Sequence, residues 1–205
     1  MIEFIKMTTY IFIDGTNLYA AQYELFGPKK YLNFSKLIEK IELRLKIKFD
    51  KIYFYASYSP KSEKPSQKEK LYLKNEALFY RNVKQIKNIV FFTDYRSKTS
   101  GKEKEVDVKL TADLITFAFL KKYNRLFLLT GDADFLQALF SVRKYHKDIK
   151  INLICIENKI MYQGLFYFRT YLFIFKKKPI LRRKFDTLEE INFNSKNLFI
   201  DIKNL

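Results

Sequence analysis

Aspartate residues follow two apolar segments of the chain in a pattern that suits metal chemistry. Asp132 and Asp134 come directly after the apolar run and glycine in "LLTG" (128–131), and Asp14 ends the earlier run "YIFID". Asp107 stands in "KEVDVKL", where a helical pattern begins. Carboxylates held close together repel one another, and a hard divalent cation such as Mg²⁺ or Mn²⁺ relieves that repulsion. Such a cation can activate water and stabilise charge on phosphorus.

Each of these aspartates also has a simple structural interpretation. Asp132 could cap the following helix, with Asp134 complementing the helix dipole in its first turn. Asp107 could be another first-turn acid, and Asp14 could form an Asx turn with Gly15. Together these interpretations do not explain why acids recur along one predicted sheet edge in a basic chain, so metal binding is the preferred hypothesis.

The charge and composition of the chain restrict the classes of function. Its 205 residues carry 39 Lys and Arg against 22 Asp and Glu, a net charge of +17 that predicts a polyanionic partner. The single cysteine, Cys155, excludes a disulfide scaffold and a cysteine-based zinc site. With His146 as the single histidine, a histidine metal cluster or a His-based triad within one chain is not expected.

No part of the sequence predicts a membrane association. No apolar run reaches the ~18 residues of a spanning helix, and the N-terminus lacks the features of a signal peptide. We therefore expect no membrane partner, and the cytoplasm is the expected compartment.

The hydrophobic pattern predicts an α/β domain. Short runs that are apolar at consecutive positions are typical of strands buried on both faces, and they occur at 10–13, 52–56, 89–92, 126–129 and 151–156. Helical patterns lie between them, one beginning after Asn33 or Ser35 and others at 67–81, 106–120 and 134–145. This alternation predicts a central, mainly parallel sheet with helices on both faces.

The predicted topology explains how the aspartates could meet. Ligands of open α/β sheets bind beyond the carboxyl ends of the strands. Asp14 stands at that end of the first predicted strand, and Asp132 and Asp134 follow the fourth. If those strands are neighbours, the three carboxylates share one crevice, and Asp107 in the first turn of a helix can face the same edge.

Two further features concern the organisation of the chain. The lysine-bearing loops 57–66 and 94–105 are long enough to flank a cleft or to be mobile. The aromatic segment 165–175 predicts a buried element or an association surface, which makes a homodimer a candidate assembly. We predict a main domain over residues 1–175 and a basic appendage over residues 176–205.

Three segments of the sequence resemble the motifs of the NYN domain, a branch of the PIN-like nuclease superfamily. They are "YIFIDGTNLY" (10–19), "KEVDVKLTADL" (104–114) and "LLTGDADFLQAL" (128–139), and the resemblance covers roughly residues 8–156. It implies a compact three-layer α/β/α sandwich, PIN-like in topology, around a parallel sheet. It also implies Mg²⁺- or Mn²⁺-dependent cleavage of RNA, with the catalytic and metal-binding acids at Asp14, Asp107, Asp132 and Asp134.

The same resemblance assigns supporting residues around these acids. Asn17 and Thr130 match polar positions of the family motifs, and Lys104 opens the second motif. Asp113 also falls on a family position, but it lies about 240° around the helix from Asp107, so it is expected to support the site from outside. Glu105 departs from the family, whose members commonly have glycine there.

Other interpretations remain beside the nuclease hypothesis. A non-catalytic RNA-binding or regulatory module of the same fold would also carry a basic rim. A haloacid-dehalogenase-type phosphatase is disfavoured, because Thr16 stands where a second acid is required and the late motif is one residue short. The substrate hypothesis is RNA, single-stranded or structured, with single-stranded DNA as a further possibility.

Overall fold

The structure, a computed structural model, describes residues 7–95, 104–156, 170–174, 187–191 and 199–201. The helices described are α1 (Gly15–Phe26), α2 (Phe34–Leu45), α3 (Gln67–Lys84), α4 (Lys104–Phe119) and α5 (Leu136–Tyr145), the last preceded by a 3₁₀ turn at Ala133–Phe135. The strands described are β1 (Thr9–Asp14), β2 (Lys30–Leu32), β3 (Lys51–Tyr58), β4 (Ile89–Tyr95), β5 (Arg125–Leu129), β6 (Lys150–Ile156), β7 (Thr170–Ile174), β8 (Thr187–Ile191) and β9 (Phe199–Asp201).

The main sheet has the strand order β4-β3-β1-β5-β6-β7-β8, and its neighbouring strands are paired in parallel. Strand β1 pairs with β3 on one side and with β5 on the other. The strand order therefore reverses between β1 and β5, and the crevice beyond such a reversal is the usual ligand site of an open α/β sheet.

Two hydrophobic cores cover the two faces of this sheet, because alternate side chains of a strand point to opposite faces. Ile11 and Ile13 of β1 enter a core that also contains buried residues of α1, α2 and α3. Phe12, between them, enters a second core with buried residues of α4 and α5. The three-layer α/β/α architecture expected from the sequence is thus confirmed.

Local sequence explains where the outer helices begin. Asn33 precedes α2 and accepts a hydrogen bond from the Lys36 amide at 3.2 Å. Ser66 precedes α3 and accepts one from the Glu69 amide at 3.1 Å. Both side chains satisfy backbone N–H groups that the first helical turn leaves without partners.

The sequence pattern predicted five strands and four helices of the domain, which the structure confirms as β1, β3, β4, β5 and β6 and as α2, α3, α4 and α5. It did not predict α1, whose first residues are the weak helix formers Gly15, Thr16 and Asn17. It did not predict β2 either, a three-residue strand that pairs with β9 from the far end of the chain.

The described parts of the C-terminal region are strands. Strand β8 continues the main sheet beside β7, and β9 pairs antiparallel with β2. The boundary predicted at residue 175 stays a prediction, and most of the predicted association segment 165–175 and of the basic stretch after it lies outside the described residues. No helix in the described ranges is both long enough and apolar enough to cross a membrane.

Candidate active site

Asp14 is a nearly buried carboxylate at the carboxyl end of β1, with 8% of its surface exposed. It is the N-cap of α1, and its Oδ1 accepts a hydrogen bond from the Asn17 amide at 2.9 Å. The structural alternative considered for Asp14, an Asx turn with Gly15, is thus a helix cap instead. A carboxylate at this position is favoured by the helix dipole as well as by the hydrogen bond.

Gly15 allows the backbone after Asp14 to approach β3 closely. A Cβ atom added at Gly15 would lie 2.1 Å from Cε1 of Phe54. The Phe54 ring is fully buried and packs edge-on against Phe34 at 5.3 Å, so it has little room to move. A glycine is therefore required at the first position of α1 for steric reasons.

Thr130 connects the ends of β1 and β5. Its hydroxyl donates to Oδ2 of Asp14 at 2.8 Å and accepts from the Asp132 amide at 3.1 Å. The side chain of Asn17 makes a second connection, because its Oδ1 accepts from the Gly131 amide at 3.2 Å. Asp14 and the Thr130–Asp132 loop are thus held together by hydrogen bonds, as expected if the two strands are neighbours.

Asp132 and Asp134 lie on the solvent side of this arrangement. Asp132 is half-buried and caps the 3₁₀ turn, with Oδ1 accepting from the Asp134 amide at 3.0 Å. Within the described ranges, Oδ2 of Asp132 and both carboxylate oxygens of Asp134 accept no hydrogen bond. These oxygens are therefore available to a cation or a substrate group.

Asp107 lies in the first turn of α4 and is half-exposed. The preceding residue, Val106, is buried in the second core. This core covers the face of the sheet toward which Phe12 points. By strand alternation, Asp14 points to that same face. The first turn of α4 therefore lies on the same face of the sheet as Asp14, and the approach of Asp107 to the crevice stays a prediction; the side chain of Lys104 lies outside the described residues.

Asp113 contacts β3 at the residue that pairs with Asp14. Its Oδ2 accepts a hydrogen bond from the Tyr55 hydroxyl at 2.8 Å, and its Oδ1 forms an ion pair with Lys109. Tyr55 is the register partner of Asp14 across β1 and β3. Burial first, and then the hydrogen bond with Asp113, raise the pKa of Tyr55, so the phenol stays protonated and donates.

Asp94 is an acidic residue near this edge that the sequence reasoning missed. It lies at the carboxyl end of β4 and hydrogen-bonds Glu105 of α4, and this contact, together with charge repulsion, raises the pKa of Glu105. The signal was available, because Asp94 follows the apolar run "IVFF" after a single threonine. Glu105 thus pairs with another acid.

The donor atoms fit a hard divalent cation by type, because Mg²⁺ and Mn²⁺ prefer carboxylate oxygens. Among the residues that the structure describes, no three His, Cys, Asp or Glu side chains form a group that could hold a metal ion. Coordination of one site by all four predicted aspartates therefore stays a prediction. Mg²⁺ commonly uses one or two carboxylates together with water and substrate phosphates.

Comparison with known proteins gives a family and a fold. The family model described as "NYN domain" matches residues 8–163. No curated protein matches the chain. A crystal structure of a protein of unknown function from Vibrio parahaemolyticus RIMD 2210633 is similar, with a TM-score of 0.60 and 15% sequence identity, over 84% of this chain and 96% of that one. At this identity the likeness concerns the fold alone.

Proposed function

Because the chain belongs to the NYN domain family, a PIN-like nuclease family, we propose that it is a metal-dependent nuclease that cleaves RNA phosphodiester bonds within the strand. The observation that carries this proposal is the Thr130 hydroxyl, which bonds the buried Asp14 and the Asp132 amide at once. This contact fixes two acids at the reversal of strand order, where α/β folds bind ligands.

The proposed roles of the acids differ with how deeply each side chain is buried. Asp14 is nearly buried and held by two donors, so its orientation is set before any substrate arrives. Within the described part of the chain, Oδ2 of Asp132 and both carboxylate oxygens of Asp134 accept no hydrogen bond, which suits the capture of a cation that arrives with its water shell. Asp107, in the first turn of α4, would complete the set from the facing helix.

We propose Mg²⁺ or Mn²⁺ as the cofactor, held by Asp14, Asp107, Asp132 and Asp134. When bound, such an ion supplies positive charge to the phosphate and lowers the pKa of a water molecule. The chain itself would orient that water and the phosphate through the hydrogen bond from Thr130 to Asp14 and the hydrogen bond from the Gly131 amide to Asn17. Asn17 and Thr130 act as positioning residues in this proposal.

RNA is the proposed substrate because a strongly basic chain carries acids at one edge of its sheet. The net charge of +17 favours a polyanion through counterion release, whereas the local aspartates would repel it without a metal. A cation bound by the aspartates would remove this repulsion.

The test compares the wild-type chain with Asp132→Asn and with Asp148→Asn, an exposed aspartate that precedes β6, at the amino ends of the parallel strands and so at the edge opposite the site. Labelled single-stranded RNA, structured RNA and DNA are incubated with EDTA and then with added Mg²⁺ or Mn²⁺. We expect cutting of RNA that EDTA stops and the metal restores. Asp132→Asn should lose this activity while binding RNA as well as or better than wild type, and Asp148→Asn should keep it. Full activity of Asp132→Asn, or cleavage that resists EDTA, contradicts the proposal.

A non-catalytic RNA-binding module of the same fold is the second candidate. The observation in its favour is that Asp14 and Asp132 both have structural uses as caps of α1 and of the 3₁₀ turn. For this candidate, the same assay should show RNA binding in every preparation and no metal-dependent cutting in any of them.

A further inference from the structure

A concave site lies between α1, α3 and the loop that follows β3. It is a pocket of about 270 Å³, lined by two tyrosines, a proline and several polar residues, among them Tyr23, Ser59, Pro60, Ser66, Lys68 and Tyr72. This volume is slightly below the roughly 300 Å³ at which sites for drug-sized ligands begin. The pocket therefore suits a group of one ring system.

The loop that forms one wall of this pocket is held in place by two glutamates of α3. Ser59 donates to the buried Glu76 from its amide at 3.0 Å and from its hydroxyl at 2.8 Å. Ser62 donates to Glu69 in the same way, at 2.9 Å and 2.8 Å. The loop was expected to flank a cleft or to be mobile, and these four hydrogen bonds favour the first alternative. A preformed wall lowers the entropic cost of binding a ligand.

The tyrosines give the pocket a rigid aromatic wall. The rings of Tyr23 and Tyr72 meet edge to face with their centroids 4.7 Å apart, and the Tyr19 hydroxyl donates to the carbonyl of Tyr72 at 2.9 Å. The hydroxyl of Tyr23 is buried and has no hydrogen-bond partner within the described part of the chain. Buried hydroxyl groups normally have partners, so a ligand that shifts this ring slightly could supply one.

The pocket and the active-site edge are connected through two elements. The Ser57 amide, at the end of β3, donates to the Thr16 hydroxyl in the first turn of α1 at 3.0 Å. Tyr23 follows Asp14 by nine residues, about 13 Å along the helix axis. A stacked single strand covers that distance in about four nucleotides at about 3.4 Å each. The length of such a strand thus matches the separation of Tyr23 from Asp14 along α1.

We propose that this pocket binds an unpaired nucleobase of a single RNA strand whose phosphodiester lies at the aspartates; this inference rests on the proposed function. Aromatic rings accept any base by stacking. Lys68, exposed at the rim, would contact an adjacent phosphate. Glu69 also lines the pocket, but its carboxylate oxygens accept bonds from Ser62, so its charge is directed into the loop.

The test measures the binding of a labelled single-stranded RNA by fluorescence anisotropy, with EDTA present so that nothing is cut. Tyr72→Leu keeps an apolar side chain without a ring, and we expect it to weaken binding about tenfold. Its matched control is Tyr145→Leu, an exposed tyrosine at the end of α5, which should bind as wild type. With an RNA of the same length that lacks its bases, Tyr72→Leu and wild type should bind equally.

A second pair of variants keeps the test decisive if Tyr72→Leu fails to fold. Lys68→Ala and Lys70→Ala remove the same charge from exposed positions of α3, but only Lys68 lines the pocket. We expect Lys68→Ala to weaken RNA binding about threefold more than Lys70→Ala does. Equal losses for the two, or a loss in Tyr72→Leu that persists on the RNA without bases, would overturn the proposal.

The two proposals can fail separately. If the pocket variants lose affinity for RNA but no preparation cuts RNA with Mg²⁺ or Mn²⁺, the pocket proposal is supported and the nuclease proposal fails. If cutting depends on Asp132 while both pocket variants bind and cut as wild type, the nuclease proposal stands and the pocket proposal fails.

Discussion

The hydroxyl of Thr130 donates a hydrogen bond of 2.8 Å to Oδ2 of Asp14, although 116 positions separate the two residues in the chain. Both groups are buried, and the contact forms because β1 and β5 are adjacent. The same hydroxyl accepts from the Asp132 amide, so one side chain sets the positions of two acids.

Thr130→Val should therefore affect both stability and activity. Valine has nearly the same shape as threonine but leaves Asp14 without one donor, and hydrogen bonds to charged groups contribute about 1.5–3 kcal/mol. We expect a loss of free energy of unfolding in that range by urea titration, and a lower kcat for RNA cleavage in the folded protein. Thr130→Ser should restore most of both. Equal behaviour of Thr130→Val and of Thr116→Val, at an exposed position of α4, would rule this role out.

Gly15→Ala should destabilise the domain through steric overlap. The added Cβ would approach the buried Phe54 ring to 2.1 Å, and overpacking of this kind typically costs about 1–3 kcal/mol. Because Gly15 follows Asp14 directly, the displacement should also lower cleavage activity per folded molecule.

The control for Gly15→Ala is Gly27→Ala at the end of α1. Gly27 has φ of 77° and open space around it, so alanine there is strained without a collision. It should lower the melting temperature but leave the activity of the folded protein unchanged. If the two variants lose activity to the same extent, Gly15 has no special effect on the site.

The Tyr55–Asp113 hydrogen bond should contribute to stability more than to chemistry. Tyr55→Phe and Asp113→Asn should each lower the free energy of unfolding by about 1–3 kcal/mol, and the double variant should lose less than the sum of the two. Cleavage by the folded variants should fall less than cleavage by Asp132→Asn. An additive double variant would show that the two side chains do not interact.

Acid should loosen the loop at residues 59–66 through Glu69. Hydrogen bonds, first from the Ser62 amide and then from its hydroxyl, lower the pKa of Glu69 below its ordinary value of 4.5. The stabilisation is therefore present above pH 4.5 and is lost as the pH falls through the lower pKa of the folded state. Limited proteolysis within the loop should accelerate in that range. Glu69→Gln should be cut faster already at neutral pH and should lose part of the pH dependence; a loop equally resistant in both proteins would contradict this.

RNA affinity should depend steeply on salt concentration. The net charge of +17 predicts several phosphate contacts, and log K for single strands falls with log salt with a slope of about −0.7 per contact. Anisotropy titrations of uncut RNA at increasing KCl should give a slope of about −2 or steeper. A flat response would mean that the basic charge is not a binding surface.

The sequence by itself determined the layers of the fold and the position of its aspartates at the ends of two strands. Strands buried on both faces are apolar at consecutive positions, as in "LFLL", and amphipathic helices repeat with the helical period, as in α2; both signals are local. Asp14, Asp132 and Asp134 follow such strands directly, so their placement at strand ends could be predicted. The α1 helix could not, because its weak helix formers are stabilised by the Asp14 cap and by packing on β3.

The tertiary structure decided which of these residues meet. These meetings depend on contacts between residues far apart in the chain, such as Asp14 with Thr130 at the ends of neighbouring strands and Tyr55 of β3 with Asp113 of α4, and no local pattern encodes them. The loop at residues 59–66 and its pocket depend on such contacts too, because Ser59 and Ser62 of the loop donate hydrogen bonds to Glu76 and Glu69 of α3. Local hydrophobic periodicity reports how each segment is buried, whereas the pairing of polar side chains depends on the geometry of the complete fold.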